Sequence, residues 1–201
     1  MVANSSQRNR GRPRLFDEDK LLDQAIELFS SAGYSAIGIN DLTRMTGVKV
    51  GSLYKAYQDK EGLFAKALER YIALRETRIS AILAQAENGR ARLAALLRIY
   101  VELSQGKEGK LGCLMVAGIA EMPQFAFAGD ILRQQLLRRR KLLSDLVEQG
   151  QRDGSVTTTS SPQAVADVLL TLLYGMRVVG KAEAFTDDPA SFVSLALKIL
   201  E

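Results

Sequence analysis

The chain has 201 residues, 47% of them apolar and 25% charged, ordinary usage for a globular protein of one medium or two small domains. It has no histidine and one cysteine, Cys113. This excludes intrachain disulfides, zinc sites built on His or several Cys, and Ser-His-Asp or Cys-His catalytic pairs. No metal or cofactor is expected.

The net charge of +4 is concentrated at one end. Residues 1–14 hold Arg8, Arg10, Arg12 and Arg14 and no acid, leaving 23 basic against 23 acidic residues in the rest. A basic arm on a neutral body points to nucleic acid or an acidic membrane surface. No apolar segment of signal-peptide length follows the arm. The longest uncharged apolar stretch, Leu111 to Ala120, is about half of a membrane span. A cytoplasmic protein without a membrane partner is expected, and a lone cysteine fits a reducing compartment.

In chain order, residues 1–14 carry no apolar pattern and read as a disordered arm. Asp17 is a good N-cap, with Glu18 and Asp19 where the helix dipole favours acids. Leu21, Leu22, Ala25, Ile26, Leu28 and Phe29 make an apolar face, and Gly33 ends that helix. Short helices over about 40–46 and 50–57 are separated by Gly47, and a long amphipathic helix starts at Asp59. Helices then follow over about 90–105, 112–121 and 126–152. The last two begin at Ser161-Pro162 and Asp188-Pro189, each a capping side chain before a proline at the first helical position. The expectation is an all-α chain of about nine helices.

The informative stretch runs from Ile39 to Leu63, INDLTRMTGVKVGSLYKAYQDKEGL. Leu42, Met45, Val48, Leu53 and Tyr57 are spaced to pin two short helices at a steep angle, with Gly47 at the turn. The second helix has Lys49, Val50, Ser52 and Lys55 available for its outer face, and no acid stands between Asp41 and Asp59. A helix-turn-helix places such a helix in the DNA major groove; a helical hairpin without a DNA role is the plain alternative.

These residues resemble the N-terminal domain of TetR-type (tetracycline-repressor-like) bacterial transcriptional regulators. Leu42-Thr43-Arg44-Met45-Thr46-Gly47-Val48, then Lys49 to Tyr57, then Gln58 to Leu63 follow the family pattern, and Ala25 to Phe29 with Gly33-Tyr34 match its first helix. The departures are Thr43 and Thr46 for small alanines, Lys49 for Ser, and Ala56-Tyr57 for His-Phe. The resemblance implies that Lys49, Val50 and Ser52 face base edges and Gly51 allows close approach of the backbone. It implies further that Tyr54 and Lys55 touch phosphates or bases and Lys60 a phosphate, while Leu53 and Tyr57 read as core. Arg10-Gly11-Arg12-Pro13-Arg14 resembles an AT-hook core, in which Arg10, Arg12 and Arg14 would enter a narrow minor groove.

The division expected is a basic arm over 1–14, a three-helix helix-turn-helix domain over 15–75, and a helical effector-binding and dimerisation domain over 76–201. Beyond residue 75 the resemblance thins to a Gly-Cys-Leu helix start at Gly112-Cys113-Leu114. By family analogy an effector binds between the central helices. The candidates for that pocket are Leu97, Tyr100, Cys113, Met115, Met122 and Phe125, with Phe127, Leu143, Tyr174 and Arg177, although helical apolar spacing arises from packing alone. Leu169, Leu173, Met176, Phe192, Leu195 and Ile199 are the candidates for a four-helix dimer interface. Arg138-Arg139-Arg140-Lys141 reads as a solvated face.

The expected function is a homodimeric regulator, a repressor, that binds a palindromic double-stranded operator and is released by a small molecule or by thiol modification. An architectural DNA binder without a ligand is one alternative. An enzyme with Cys113 as nucleophile is another, and it lacks any histidine base.

Overall fold

The computed structural model describes residues 16–185 and 188–201. The arm, with Arg10, Arg12 and Arg14, lies outside the described residues. Ten α-helices and no strand occur among those described. They are α1 (Glu18–Ala32), α2 (Ile39–Thr46), α3 (Val50–Tyr57), α4 (Lys60–Leu83), α5 (Gly89–Leu103), α6 (Gly106–Leu111), α7 (Leu114–Ala120), α8 (Ala128–Asp153), α9 (Pro162–Lys181) and α10 (Pro189–Ala196). Single 3-10 turns follow α7 (Met122–Gln124) and α10 (Leu197–Leu200).

Helix starts are set by local chemistry. Asp17, Asp59, Asn88, Ser161 and Asp188 each accept a first-turn backbone N–H, at 2.7 to 3.3 Å, satisfying donors that have no partner inside the helix. The one helix without a sequence signal is α6. Its six residues include Gly106 and Gly109 and offer no apolar stripe; close packing holds it instead. A Cβ on Gly109 would lie 2.5 Å from the Ser104 carbonyl oxygen, so only glycine lets the two backbones touch.

Two cores meet along α4. Leu63, Phe64, Leu68 and Ile72 pack with α1, α2 and α3, and the same core takes in Cys113, Leu114, Met115, Ala128 and Leu132. From Ile79 onward α4 belongs to the second core, with α5, the C-terminal half of α8, and α9. A division at residue 75 thus falls inside one continuous helix, and the N-terminal core is completed by residues from α7 and the start of α8.

α9 is the one described helix long and apolar enough to cross a membrane by length and composition. Here it lies against α5 and α8, and Val165, Leu169, Leu173 and Met176 are buried in the protomer core. That burial corrects part of the dimer expectation: Leu169, Leu173 and Met176 face inward, while Phe192 and Ile199 are half-buried. The outward stripe one position away is Val168 (53% exposed), Thr171, Gly175 and Val178, and Leu195 on α10 is 66% exposed. Both stripes keep helical spacing, so the apolar pattern alone does not tell them apart.

Candidate DNA-binding face and effector cavity

Helix α3 is presented by a tight turn. Gly47 sits in the left-handed region (φ 69°) and its N–H reaches the Thr43 carbonyl at 2.9 Å, closing α2 as a glycine C-cap does. The two threonines that depart from the family pattern are accommodated. Thr43 and Thr46 donate to the carbonyls four residues back, at 3.0 and 2.7 Å, and Thr46 Oγ1 also accepts the Val48 N–H. Leu53 and Tyr57 point into the core. Lys49, Gly51, Tyr54 and Lys55 are exposed, Tyr54 at 46%, and Val50 and Ser52 are half-buried. The outer face of α3 therefore combines two cations, a phenol and a bare backbone, with no carboxylate on it.

Lys60 is placed differently from the phosphate role that the resemblance implies. Its ammonium donates to the carbonyls of Tyr34 and Ile37, both at 3.1 Å, and lies 4.0 Å from the centre of the Tyr34 ring. It ties the α1–α2 loop to α4, and most of its donor capacity is spent inside the domain.

The C-terminal helices grip this domain at three more points. Glu61 accepts the backbone N–H groups of Ala126, Phe127 and Ala128 at 3.1, 2.7 and 2.8 Å, capping α8 from the N-terminal domain. Glu121, just after α7, accepts the N–H groups of Tyr34 and Ser35 at 2.7 and 2.8 Å. Lys181, at the end of α9, donates to the carbonyls of Ser30 and Ser31, both at 2.8 Å, supplying the cation that the last turn of α1 lacks. Desolvation pushes both carboxyls up. In Glu121 the bonds from Ser35 and Tyr34 and the charge of Lys60 outweigh it, and in Glu61 the three backbone bonds do, so both sit below the usual glutamate value.

Of the pocket candidates, the structure brings Tyr100, Cys113, Met115, Tyr174 and Arg177 around one cavity of about 30 Å³. It separates the others. Leu97 and Leu143 are ordinary second-core residues. Phe125 stacks on Phe64 with centroids 4.8 Å apart and meets Tyr34 edge-on, Met122 packs on the same core, and Phe127 is exposed beside α8. These three belong to the junction between the domains. Burial is the chief cause that pushes the phenols of Tyr71, Tyr100 and Tyr174 up, so they stay neutral and can donate.

Cys113 is buried and accepts the Tyr71 hydroxyl at 3.4 Å. The nearby lysines that the sequence suggests do not face it: Lys107 is exposed and Lys110 pairs with Glu183 at 2.7 Å. Its cationic neighbours are arginines. Arg177 donates to the carbonyl of the preceding residue, Gly112, at 2.6 Å, and Arg75 lines the same cavity. Sequence reading missed Tyr71, Arg75, Glu76, Gln135 and Arg139 in this wall. The Arg138 to Lys141 run is not all solvated, since Arg139 is only 3% exposed. Its signal lay in spacing: Leu132, Gln135, Arg139 and Leu143 recur every three or four residues along the buried face of α8.

A helix-turn-helix with a cationic, acid-free outer face, carried on a helix shared with a larger helical bundle, defines a DNA-binding regulator of one polypeptide. Residues 21–67 match the sequence profile of the tetR family of bacterial regulatory proteins. The chain is 26% identical to the HTH-type transcriptional repressor ComR of Escherichia coli (strain K12), over 99% of this chain and 97% of that one. It is 29% identical to the repressor BdcR of the same strain, over 59% and 60% of the two chains. Its fold matches that of the TetR family regulator CifR, solved in a cysteine-substituted form on 26-bp operator DNA. The TM-score is 0.84 at 29% identity, covering 95% of this chain and 100% of that one.

Proposed function

We propose that this protein is a cytoplasmic, dimeric transcriptional repressor, not an enzyme, whose grip on a palindromic operator is controlled from the cavity around Cys113. The observation that carries this reading is the outer face of α3, where Lys49, Gly51, Tyr54 and Lys55 stand exposed on a helix presented by the Gly47 turn. In this reading Lys49, Val50 and Ser52 meet base edges, Tyr54 and Lys55 meet phosphates, and Arg10, Arg12 and Arg14 follow the adjacent minor groove. Two copies joined through the outward stripe of α9 and Leu195 would present their α3 helices about 34–36 Å apart, one turn of duplex.

Control would run along α7. Cys113 immediately precedes this helix and Glu121 immediately follows it, so a ligand or a thiol adduct in the cavity moves the carboxylate that holds the α1–α2 loop. A ligand favouring the displaced arrangement shifts the dimer away from the operator spacing. The test is fluorescence anisotropy on operator DNA. Lys49→Ala and Tyr54→Ala should each weaken binding, and a mild thiol alkylating agent should release wild-type protein but not Cys113→Ser. Unchanged affinity in both α3 variants would remove the DNA-binding role of this face, and equal release of both proteins by alkylation would leave a non-covalent ligand as the signal.

A further inference from the structure

Six buried side-chain polar atoms among the described residues have no hydrogen-bond partner, and five of them line the cavity beside Cys113: Nε and Nη1 of Arg139, Nε and Nη1 of Arg177, and Oε1 of Gln135. Buried donors are nearly always satisfied, so four guanidinium nitrogens with unused N–H groups at one place call for an acceptor that the chain does not supply. The Cys113 sulfur does not serve, and neither do the phenolic oxygens.

The charges sharpen the point. Arg139 is paired with Glu76, which Gln135 also contacts at 2.6 Å. Arg75 is paired with Glu108 at 2.8 Å. Arg177 is 1% exposed and bonds only the carbonyls of Glu108 and Gly112. It is a buried cation without a carboxylate against it, an arrangement that is costly unless a counter-ion completes it.

We infer that this cavity is a binding site for a small monocarboxylate, whose oxygens take the free N–H groups of Arg177 and Arg139. The space, about 30 Å³, suits roughly two water-sized groups, the dimensions of a carboxylate. Tyr100 and Tyr174 line it as neutral donors, and the one carboxylate in its wall, Glu76, is already bound by Arg139 and Gln135. Arg177 also bonds the carbonyl next to Cys113, so an occupant of this site bears directly on the start of α7. The use of the site as the effector site rests on the regulatory reading above; binding itself does not.

The experiment is calorimetric titration of the full chain, without DNA, with acetate and with acetamide at fixed ionic strength. Acetamide has the same shape and no charge. Acetate should bind saturably and acetamide should not. Arg177→Met should weaken acetate about tenfold to a hundredfold, the loss of hydrogen bonds from a charged group. Should Arg177→Met fail to fold, the acetate and acetamide pair on wild-type protein decides alone. A series from formate to butyrate separates two sources of the same chemistry. Affinity that falls with chain length marks a free small acid, and affinity that rises marks the carboxylate end of a larger one. Equal heats from acetate and acetamide would overturn the inference and leave a hydrated cavity only. DNA affinity is measured separately, so either claim can fail without the other.

Discussion

Lys60 and Gly47 show what a single position does in this fold. A lysine at the start of the helix after α3 stands where a phosphate contact is expected, yet its ammonium is bonded to two loop carbonyls. Lys60→Met should therefore cost stability, about 1–3 kcal/mol for charge-assisted bonds, read from urea unfolding. The salt dependence of DNA binding should stay unchanged, whereas loss of a true phosphate contact lowers the slope by about 0.9. Gly47→Ala is a cleaner backbone test. A Cβ there would meet nothing within 4 Å, but φ is 69°, so the variant should lose about 1–2 kcal/mol through the left-handed conformation alone. The glycine was legible because its role is local. The Lys60 contact was not, since its acceptors lie 23 and 26 residues away and are backbone atoms.

Among the elements, the two glutamates at the domain junction tie the N-terminal helices to α7 and α8. Their folded-state carboxyls sit below the ordinary value of 4.5, so their stabilising contribution is complete above that pH. It disappears as pH falls through the lower folded value, because protonation removes the charge that the backbone N–H groups hold. Glu61→Gln and Glu121→Gln should each lower stability at neutral pH and flatten the loss on acidification, measured as urea midpoints between neutral pH and the onset of acid unfolding. An equally steep acid response in both variants would place the pH dependence elsewhere. Capped and periodic helices, such as α1, α4 and α9, could be read from the chain because caps and stripes are local signals. α6 could not, since six residues held by a glycine contact with Ser104 carry no period. The cavity was half legible: Tyr100, Cys113, Tyr174 and Arg177 stood out by type, whereas Arg139 and Gln135 were hidden in polar runs whose inward register only the packing reveals.

The whole molecule adds symmetry to these parts. The α9 stripe of Val168, Thr171, Gly175 and Val178 is exposed in the protomer, and a Cβ on Gly175 would meet only open space, so the protomer itself does not require glycine there. A partner backbone approaching closely would. Val168→Asp combined with Leu195→Asp should give folded monomers by sedimentation velocity, with operator affinity largely lost; an intact dimer would move the interface to another face. Reading of a symmetric operator by paired α3 helices is measured by selecting bound sequences from random duplex DNA with the full chain and with Lys49→Ala. The full chain should select one inverted repeat, with half-site centres about one helical turn apart, and the variant should show relaxed preference at the bases nearest Lys49. Enrichment of a single asymmetric site, or of no sequence beyond A·T content, would contradict this paired reading.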